Sequence, residues 1–558
     1  MLGWRIGYMK EYRRAWLPGD VGAGVVVALM TIPQGMAYAL VAGLPPVAGL
    51  YASITPAIVY ALFGSSRTQS VGPAAITSLM TASVLAPLAG AGTGLYTVLA
   101  AQLALMAGAV LLLCAVLRVG FLANFFSRPV MSGFTLAVAV VIAAGQLEAL
   151  LGGPLAQPHW PSAALGLSTV ALLLAARAWL ERALGRMGMA SGPAQIAARL
   201  APMLLVLGAT ALVAWFDLAR GGVRVTGAVP AGLPSLNLAT SASHWRVLLQ
   251  PALLVGFMIF LISMSAAQTL AQKRQEKLHS NAELLGLGAA NLASALSGGF
   301  PVTGSISRSA VNFAAGAHTQ LASVVAALLL VAALLGPTGW LAMLPLPVLA
   351  ATIIVAVLGM IELATLRRAW KYDRGDALAL LATAGGVLVL GVEAGVLIGV
   401  ALSVCTLIWR ASRPNIVVLG RIAGSEHFRD IERYAGQTLA HVLMLRVDAN
   451  LFFGNVEAVN ARIEDELAAR PHLRHLVLVM SAISSIDTSA LFALEEMNDM
   501  LRRRGIKLHF AEVKGPVLDR LHNSGLPTAL NGEIFLSALR AFESLAHDAP
   551  TADGTAQG

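Results

Sequence analysis

Long apolar stretches without a charged residue dominate the first three quarters of the chain. A helix of about 20 apolar residues crosses a bilayer, so the longest stretches each predict two or more crossings. The pattern therefore predicts a polytopic helical membrane domain with roughly twelve to fourteen segments. The longest stretches that lack Asp, Glu, Lys and Arg are 21–66, 68–117, 129–147, 149–176, 225–245, 247–272, 284–307 and 309–361.

Glycine and proline interrupt two of these stretches, at 70–75 and at 298–304. Irregular backbone at membrane depth is tolerated only where it is buried in protein or lines a cavity. The two breaks lie about 230 residues apart, which predicts two structural repeats that each contribute a half-helix. An ordinary bundle of kinked helices is the alternative.

Arg308 stands alone between two charge-free stretches, just after the second break. A cation at the bilayer centre costs about 2.5–3.5 kcal/mol on insertion scales, so its presence there indicates a function. Helix N-termini carry partial positive charge, and two half-helix N-termini beside Arg308 predict an anion site. The alternative is an arginine that reaches the membrane interface or pairs with a distant acid such as Glu393.

Two polar side chains in the first apolar stretch extend this hypothesis. Gln34 and Tyr38 are four residues apart, so they share one helix face. A buried glutamine can donate a hydrogen bond to an anion, and a tyrosine ring can line its pocket. Hydrogen bonding between helices explains the glutamine equally well.

After Pro414 the pattern changes to short apolar runs that alternate with amphipathic segments. Such alternation is typical of a small α/β domain with a central, mostly parallel sheet. The loop at 485–490 joins a strand to a helix and is either a good helix cap alone or a phosphorylation or docking loop. Strands are predicted near 440–453, 476–480 and 506–513, and helices near 456–469, 488–504, 517–523 and 534–545.

Composition and charge narrow the class of protein. Hydrophobic residues make up 57% and charged residues 12%, about half the usual charged share, which excludes disordered, collagen-like and disulfide-rich chains. Residues 1–411 hold 23 Lys and Arg against 11 Asp and Glu, or +12, and residues 412–558 hold 15 against 18, or −3, which sum to the net +9. The positive charge lies in short loops, which predicts cytoplasmic loops and not nucleic-acid binding.

Candidate enzyme chemistry is sparse. The eleven histidines include one close pair, His472 and His475, and the two cysteines, Cys114 and Cys405, lie in apolar runs. We find no zinc-ligand cluster and no phosphate-binding glycine loop in the sequence. The sequence therefore predicts no metal, no cofactor and no enzymatic activity.

Seven motifs together resemble those of the SulP family of anion permeases, the relatives of the mammalian anion exchangers and prestin. The resemblance covers nearly the whole chain, and its tail resembles the STAS domain of that family. The motifs are PQGMAYA at 33–39, GLPPVAGLY at 43–51, TQSVGPA at 68–74, NAEL at 281–284, GFPVTGSISRS at 299–309, RVDANLFFGN at 446–455 and IDTSA at 486–490.

The resemblance implies an inverted repeat of seven plus seven segments, divided into a core and a gate subdomain. The third and tenth segments are then half-helices whose N-termini face each other across the substrate. It also implies a homodimer, an elevator-like motion of core against gate, and a regulatory role for the STAS domain, in which Ser489 matches the residue phosphorylated in anti-sigma-factor antagonists. The implied substrate-site residues are Gln34, Tyr38, Ala74, Ala75, Ser305, Ser307 and Arg308.

One position departs from the family pattern. Ile262 stands where many bacterial relatives carry a glutamate in the eighth segment, and no acidic residue lies between Arg246 and Glu276. A carboxylate within the membrane is the natural carrier of a proton or cation. Its absence favours anion exchange or an uncoupled path over symport with protons or sodium.

We therefore expect a secondary transporter of small inorganic anions, such as sulfate, bicarbonate or chloride, in the inner (plasma) membrane. The alternatives are a nucleobase or dicarboxylate permease on the same scaffold, or a non-transporting sensor whose STAS domain signals to a cytoplasmic partner. The expected organisation is a cytoplasmic N-terminus at 1–20, a transport domain at 21–411, a cytoplasmic STAS domain at 412–548 and a disordered tail at 549–558.

Overall fold

The computed structural model describes residues 12–121, 128–189, 191–234, 244–359 and 361–547. It divides into two compact units, Met1–Ser403 and Val404–Gly558. The predicted tail at 549–558 and most of the predicted N-terminal segment at 1–20 lie outside the described residues. The predicted domain boundary at 411/412 falls inside a helix and stays a prediction.

In the described part of the first half of the larger unit, the regular elements are helices and one two-residue strand. A 3₁₀ turn at Arg14–Trp16 precedes it, and a π-helical stretch at Ala176–Leu180 joins two of its helices. The elements are α1 (Leu17–Val41), α2 (Pro46–Phe63), β1 (Val71–Gly72), α3 (Ala75–Leu85), α4 (Gly94–Val116), α5 (Arg128–Gly145), α6 (Leu147–Leu151), α7 (Trp160–Ala175), α8 (Glu181–Arg186) and α9 (Ser191–Trp215).

The second half opens with the same order of elements: two helices, a two-residue strand, a short helix and a longer one. This internal repetition agrees with the predicted pair of repeats. The elements are α10 (Trp245–Arg274), α11 (Ser280–Leu296), β2 (Thr303–Gly304), α12 (Ile306–Ala314), α13 (Leu321–Leu335), α14 (Gly339–Ala342), α15 (Leu346–Leu358), α16 (Leu363–Tyr372), α17 (Arg374–Leu390) and α18 (Val392–Ser412).

Several of these helices can cross a membrane by length and composition. Among the described residues, six helical stretches are long and apolar enough, and five shorter apolar helices accompany them. The larger unit is therefore a helical polytopic membrane domain. The six long stretches are Arg14–Val41, Pro46–Phe63, Gly94–Val116, Pro129–Leu151, Trp160–Arg186 and Trp245–Ala271.

Both predicted breaks are confirmed, and they pair with each other. β1 and β2 are antiparallel, with Val71 opposite Gly304 and Gly72 opposite Thr303. The pairing of the two strands satisfies backbone N–H and C=O groups that an interrupted helix leaves without partners. Irregular backbone within a membrane needs such partners. Pro73 precedes Ala74, the cap residue of α3. The backbone of Ala74 is extended, so the helix begins only after this proline.

The smaller unit is an α/β domain built on one six-stranded sheet. The strands run in the order β4-β3-β5-β6-β7-β8; the neighbours β5 to β8 are parallel, and β3 is antiparallel to both β4 and β5. Its elements are β3 (Ile416–Arg421), β4 (Phe428–Asp430), β5 (Val442–Val447), α19 (Val456–Ala468), β6 (His475–Val479), α20 (Thr488–Arg503), β7 (Lys507–Ala511), α21 (Gly515–Ser524), α22 (Leu526–Ala529), β8 (Ile534–Phe535) and α23 (Ala538–Ala546).

Alternate residues of the strands point to opposite faces, so the sheet has two cores. Leu443 and Leu445 pack with the helices α19 to α22, whereas Val442 and Met444 pack with α23. The predicted strands and helices of this domain are confirmed except at 534–545. That segment begins as the edge strand β8, and its helix starts only at Ala538.

Candidate functional site

The strand pair β1–β2 holds the N-termini of the half-helices α3 and α12 beside each other. Two further hydrogen bonds extend it: Ser305 N–H donates to Ser70 O at 2.9 Å, and Ser70 N–H donates to Ser309 Oγ at 2.8 Å. The two breaks therefore form one structural element, although they come from distant parts of the chain. This arrangement brings the predicted residues of both half-helices together.

The two half-helices begin differently. Ser305 is the cap residue of α12, and its Oγ accepts the Arg308 N–H at 3.4 Å and lies 3.3 Å from Ser307 Oγ. Ala74 caps α3 without a side-chain hydrogen bond, so the first N–H groups from Ala75 onward have no side-chain cap. Free N–H groups at a helix N-terminus favour an anion.

Arg308 is enclosed by the protein, with only 1% of its surface exposed. Within the described residues, Nε, Nη1 and Nη2 of its guanidinium have no hydrogen-bond partner. The guanidinium lies against the backbone of β1, where a Cβ atom added to Gly72 would approach Nη2 to 3.0 Å. A larger residue at position 72 would therefore press on the guanidinium, and the arginine donates to nothing that the described chain supplies.

The predicted residues of α1 lie on the same side of the unit. Tyr38 is 6% exposed, and its phenol interacts electrostatically with the Arg308 guanidinium. Gln34 is half-buried, and its Oε1 has no partner in the part of the chain that the structure describes. Tyr38 is thus close enough to Arg308 for an electrostatic interaction, and Gln34, one helical turn before it, has unused hydrogen-bonding capacity.

Polar residues that the sequence did not single out build the frame of the site. Ser263 Oγ accepts the Gly304 N–H at 2.8 Å and lies 2.8 Å from Thr303 Oγ1. Asn291 makes two hydrogen bonds with the Val302 backbone, and Asn312 donates to Thr68 O at 3.0 Å. A polar side chain alone in an apolar helix is the signal that marks such residues in the sequence.

The sequence matches a known family. A model of the sulfate permease family matches residues 17–383, and a model of the STAS domain matches residues 435–541. The first match covers more than half of the chain. The chain belongs to the sulfate permease family.

Named relatives of this family member agree with that assignment. A probable sulfate transporter of Mycobacterium tuberculosis is 38% identical to it over 94% of each chain. The probable sulfate transporter 4.2 of Arabidopsis thaliana is 33% identical over 95% of this chain and 81% of its own.

Two solved structures share the fold of this sulfate permease family member. Murine solute carrier 26 family member A9, an anion transporter solved in its inward-facing state, matches with a TM-score of 0.86 and 20% identity, over 97% of this chain and 93% of its own. The transmembrane domain of a cyanobacterial bicarbonate transporter matches with a TM-score of 0.58 and 23% identity, over 70% of this chain and 98% of its own. The fold is therefore the helical inverted repeat of these neighbours, followed by a C-terminal STAS domain.

The predicted regulatory residue of this family member lies in its STAS domain. Asp487 caps α20 by accepting the Ala490 N–H at 2.8 Å, and its second oxygen accepts the Phe453 N–H at 2.9 Å. Ser489 is exposed in the first turn of α20. The capping role belongs to Asp487, which leaves the Ser489 hydroxyl accessible; its phosphorylation stays a prediction.

Proposed function

We propose that this protein is a secondary transporter of small inorganic anions and that the anion binds beside Arg308, between the N-termini of α3 and α12. The observation that carries the proposal is the buried guanidinium whose three nitrogens have no partner among the described residues. Removing an arginine from water without a partner costs several kcal/mol, so folded proteins rarely retain one. A bound anion supplies the missing partner.

Each predicted site residue has a role in this proposal. Arg308 provides the charge, while Ser307 and the N–H groups at Ala74 and Ala75 provide hydrogen bonds. Ser305 orients the first turn of α12. Gln34 and Tyr38 complete the wall on the α1 side. Sulfate is the leading substrate because the relatives above carry that name; bicarbonate and chloride suit the same small positive pocket.

We propose anion exchange as the mode of transport. Ile262 is buried on α10, and it is an aliphatic residue at the position where a carboxylate could carry a proton or cation. The expected cycle is an elevator-like movement of a core that contains both half-helices. We further expect a homodimer in the inner membrane, with the N-terminus and the STAS domain in the cytoplasm.

The deciding experiment is uptake of labelled sulfate into proteoliposomes, with candidate anions inside and imposed proton or sodium gradients. We expect uptake driven by internal anion and indifferent to both gradients. Arg308→Ala is expected to lower the uptake by about a hundredfold, because it removes several charge-assisted hydrogen bonds. Arg220→Ala is the control, since that side chain is 88% exposed and pairs only locally with Asp217.

The other outcomes distinguish the alternatives. Unchanged transport by Arg308→Ala contradicts the site. Uptake of a labelled succinate-like dianion, without uptake of labelled sulfate, favours a dicarboxylate transporter on the same scaffold. No transport of any anion, together with ligand-dependent binding of a soluble protein to the STAS domain, favours a sensor.

A further inference from the structure

Glu283 is a buried ionisable residue that anion binding at Arg308 does not use. It lies in the first turn of α11, and none of its surface is exposed. Its Oε1 accepts three hydrogen bonds: from Ser65 N–H at 2.8 Å, from Ser65 Oγ at 2.6 Å and from Ser66 N–H at 2.9 Å. Its Oε2 lies 2.7 Å from the Tyr60 hydroxyl oxygen.

The Tyr60 hydroxyl lies between two acceptors. Its oxygen is 2.7 Å from Glu283 Oε2 and 2.8 Å from Gln69 Oε1, and all three side chains are buried. A hydroxyl group has one proton, so it donates one of these hydrogen bonds and accepts the other. One of its two neighbours therefore supplies a proton.

Gln69 is not that neighbour, because its amide orientation is set by its other contact. Gln69 Nε2 donates to the backbone oxygen of Ser263 at 3.0 Å. Turning the amide over would put two acceptor oxygens in contact at that distance. The same Nε2 lies so close to β2 that a Cβ atom added to Gly304 would overlap it at 1.7 Å. The Gln69 oxygen thus faces Tyr60 and accepts its proton.

We propose that Glu283 is a proton-binding site and that it is a neutral carboxylic acid in the state described here. Oε2 carries the proton and donates to Tyr60, which in turn donates to Gln69. Oε1 is the carbonyl oxygen and accepts the three donors from the turn at Ser65 and Ser66. Every polar atom of the group then has a partner of the right kind, as buried polar groups require.

The protonated chain of hydrogen bonds ends at the proposed anion site. Gln69 lies two residues before β1. Its Nε2 donates to the backbone oxygen of Ser263, and the Ser263 Oγ accepts the N–H of Gly304 in β2. Gln320 adds a second link, because its Nε2 donates to both Ser66 O and Gln69 O. If Glu283 loses its proton, Tyr60 turns its hydrogen to the carboxylate and Gln69 loses its donor. This part of the inference rests on the proposed function.

Other titratable or charged residues lie on the elements that pack against α11 or adjoin it. Tyr60 is the titratable group in contact with it from α2. The turn that follows α2 contributes Arg67, which pairs with Glu276 at 3.8 Å. The remaining titratable or charged residues on the packed elements are Tyr51 on α2, Tyr96 and Cys114 on α4, Arg246, Lys273 and Arg274 on α10, and Lys277 and His279 before α11.

The first test is infrared spectroscopy of the full-length protein in detergent at neutral pH. We expect the C=O stretching band of a protonated carboxylic acid that disappears in Glu283→Gln and remains in Glu276→Gln, the matched control from the adjoining ion pair. An amide at 283 reproduces all four hydrogen bonds of the neutral acid, so this variant should fold. A spectrum without the band, or a band that Glu283→Gln leaves unchanged, overturns the proposal.

Tyr60→Phe is a second variant that keeps the test decisive if Glu283→Gln yields too little folded protein. It removes the oxygen to which the acid donates, so the band should move to higher frequency. A band that does not move contradicts the proposed donor.

The second test is anion exchange in proteoliposomes with equal pH on both sides. The wild-type rate should fall by about tenfold from neutral to strongly alkaline pH, the loss expected when one buried acceptor loses its donor. Glu283→Gln should keep the neutral-pH rate within about twofold and lose most of the alkaline decline, because an amide donates at every pH. An alkaline decline that persists in Glu283→Gln refutes the link, whereas wild-type protein that shows the band but transports nothing refutes the proposed function alone.

Discussion

Glu283 and Arg308 lie on consecutive helices of the second repeat, and both are buried, yet they differ in how many hydrogen bonds the chain makes to them. Four donor or acceptor groups surround the Glu283 carboxyl. None of the described groups bonds the Arg308 guanidinium. A buried ionisable group that the chain satisfies itself belongs to the framework, whereas one that the chain leaves unsatisfied indicates a partner from outside.

The difference has an energetic basis. An unsatisfied buried polar group costs about 1–3 kcal/mol, and a charged one costs more. Satisfying Glu283 removes this cost permanently and fixes the turn after α2. In the proposed function Arg308 carries such a cost, and the binding of an anion relieves it. The burial of a polar group thus stabilises the fold at Glu283 and, in the proposed function, favours anion binding at Arg308.

The largest effect in this comparison is expected from Glu283→Ala. It removes the acceptor of three donors and the partner of Tyr60, all of them buried, so the free energy of unfolding should fall by about 3–5 kcal/mol. Thermal unfolding of the full-length protein in detergent measures this. A variant as stable as the wild type would mean that Glu283 is not part of the framework.

A smaller effect with the opposite sign is expected from Arg308→Met. Without anion, its free energy of unfolding should equal or exceed that of the wild type, since the substitution removes an unpaired buried charge at similar side-chain volume. Adding an anion at about 100 times its Kd should stabilise the wild type by about 2.7 kcal/mol and the variant by nothing. Thermal unfolding with and without sulfate measures both. Equal stabilisation of the two proteins would place the anion elsewhere.

The smallest effect is expected from Asp20→Asn, which probes a second satisfied carboxyl. Its Oδ1 accepts the N–H groups of His318 and Thr319 at 2.6 and 2.9 Å, and its Oδ2 accepts from Thr319 Oγ1 at 2.7 Å. An amide keeps the two backbone bonds, and the threonine hydroxyl can turn to accept. The loss of unfolding free energy should therefore be about 1 kcal/mol. A loss as large as that from Glu283→Ala would mean that the charge itself is essential.

Much of this structure could be predicted because its signals are local in the sequence. Charge-free stretches predicted the membrane helices, and the density of glycine and proline predicted the breaks at 70–75 and 298–304. The alternation of short apolar runs predicted most of the C-terminal α/β domain. Arg308 was conspicuous because it is the single charged residue between positions 284 and 361.

The remainder depends on contacts between distant residues. The pairing of β1 with β2 joins segments whose two-residue strands are too short to predict from periodicity. Glu283 and Asp20 lie near the ends of apolar stretches, where a charged residue is ordinary, so nothing in the sequence marked them as buried. The edge strand β8 was predicted as helix because Ile534 and Phe535 continue the apolar pattern of α23.

The antiparallel pairing of β1 with β2 also determines when the helix dipoles at the proposed site become oriented. Four residues hold the positive ends of two helices at a fixed separation before any ligand arrives. The peptide dipoles around the proposed anion site are therefore oriented once, during folding, and under that proposal they need no reorientation when an anion binds or dissociates. A few backbone hydrogen bonds between β1 and β2 fix the direction of this field. An ion at the proposed site would then be selected by its charge and radius.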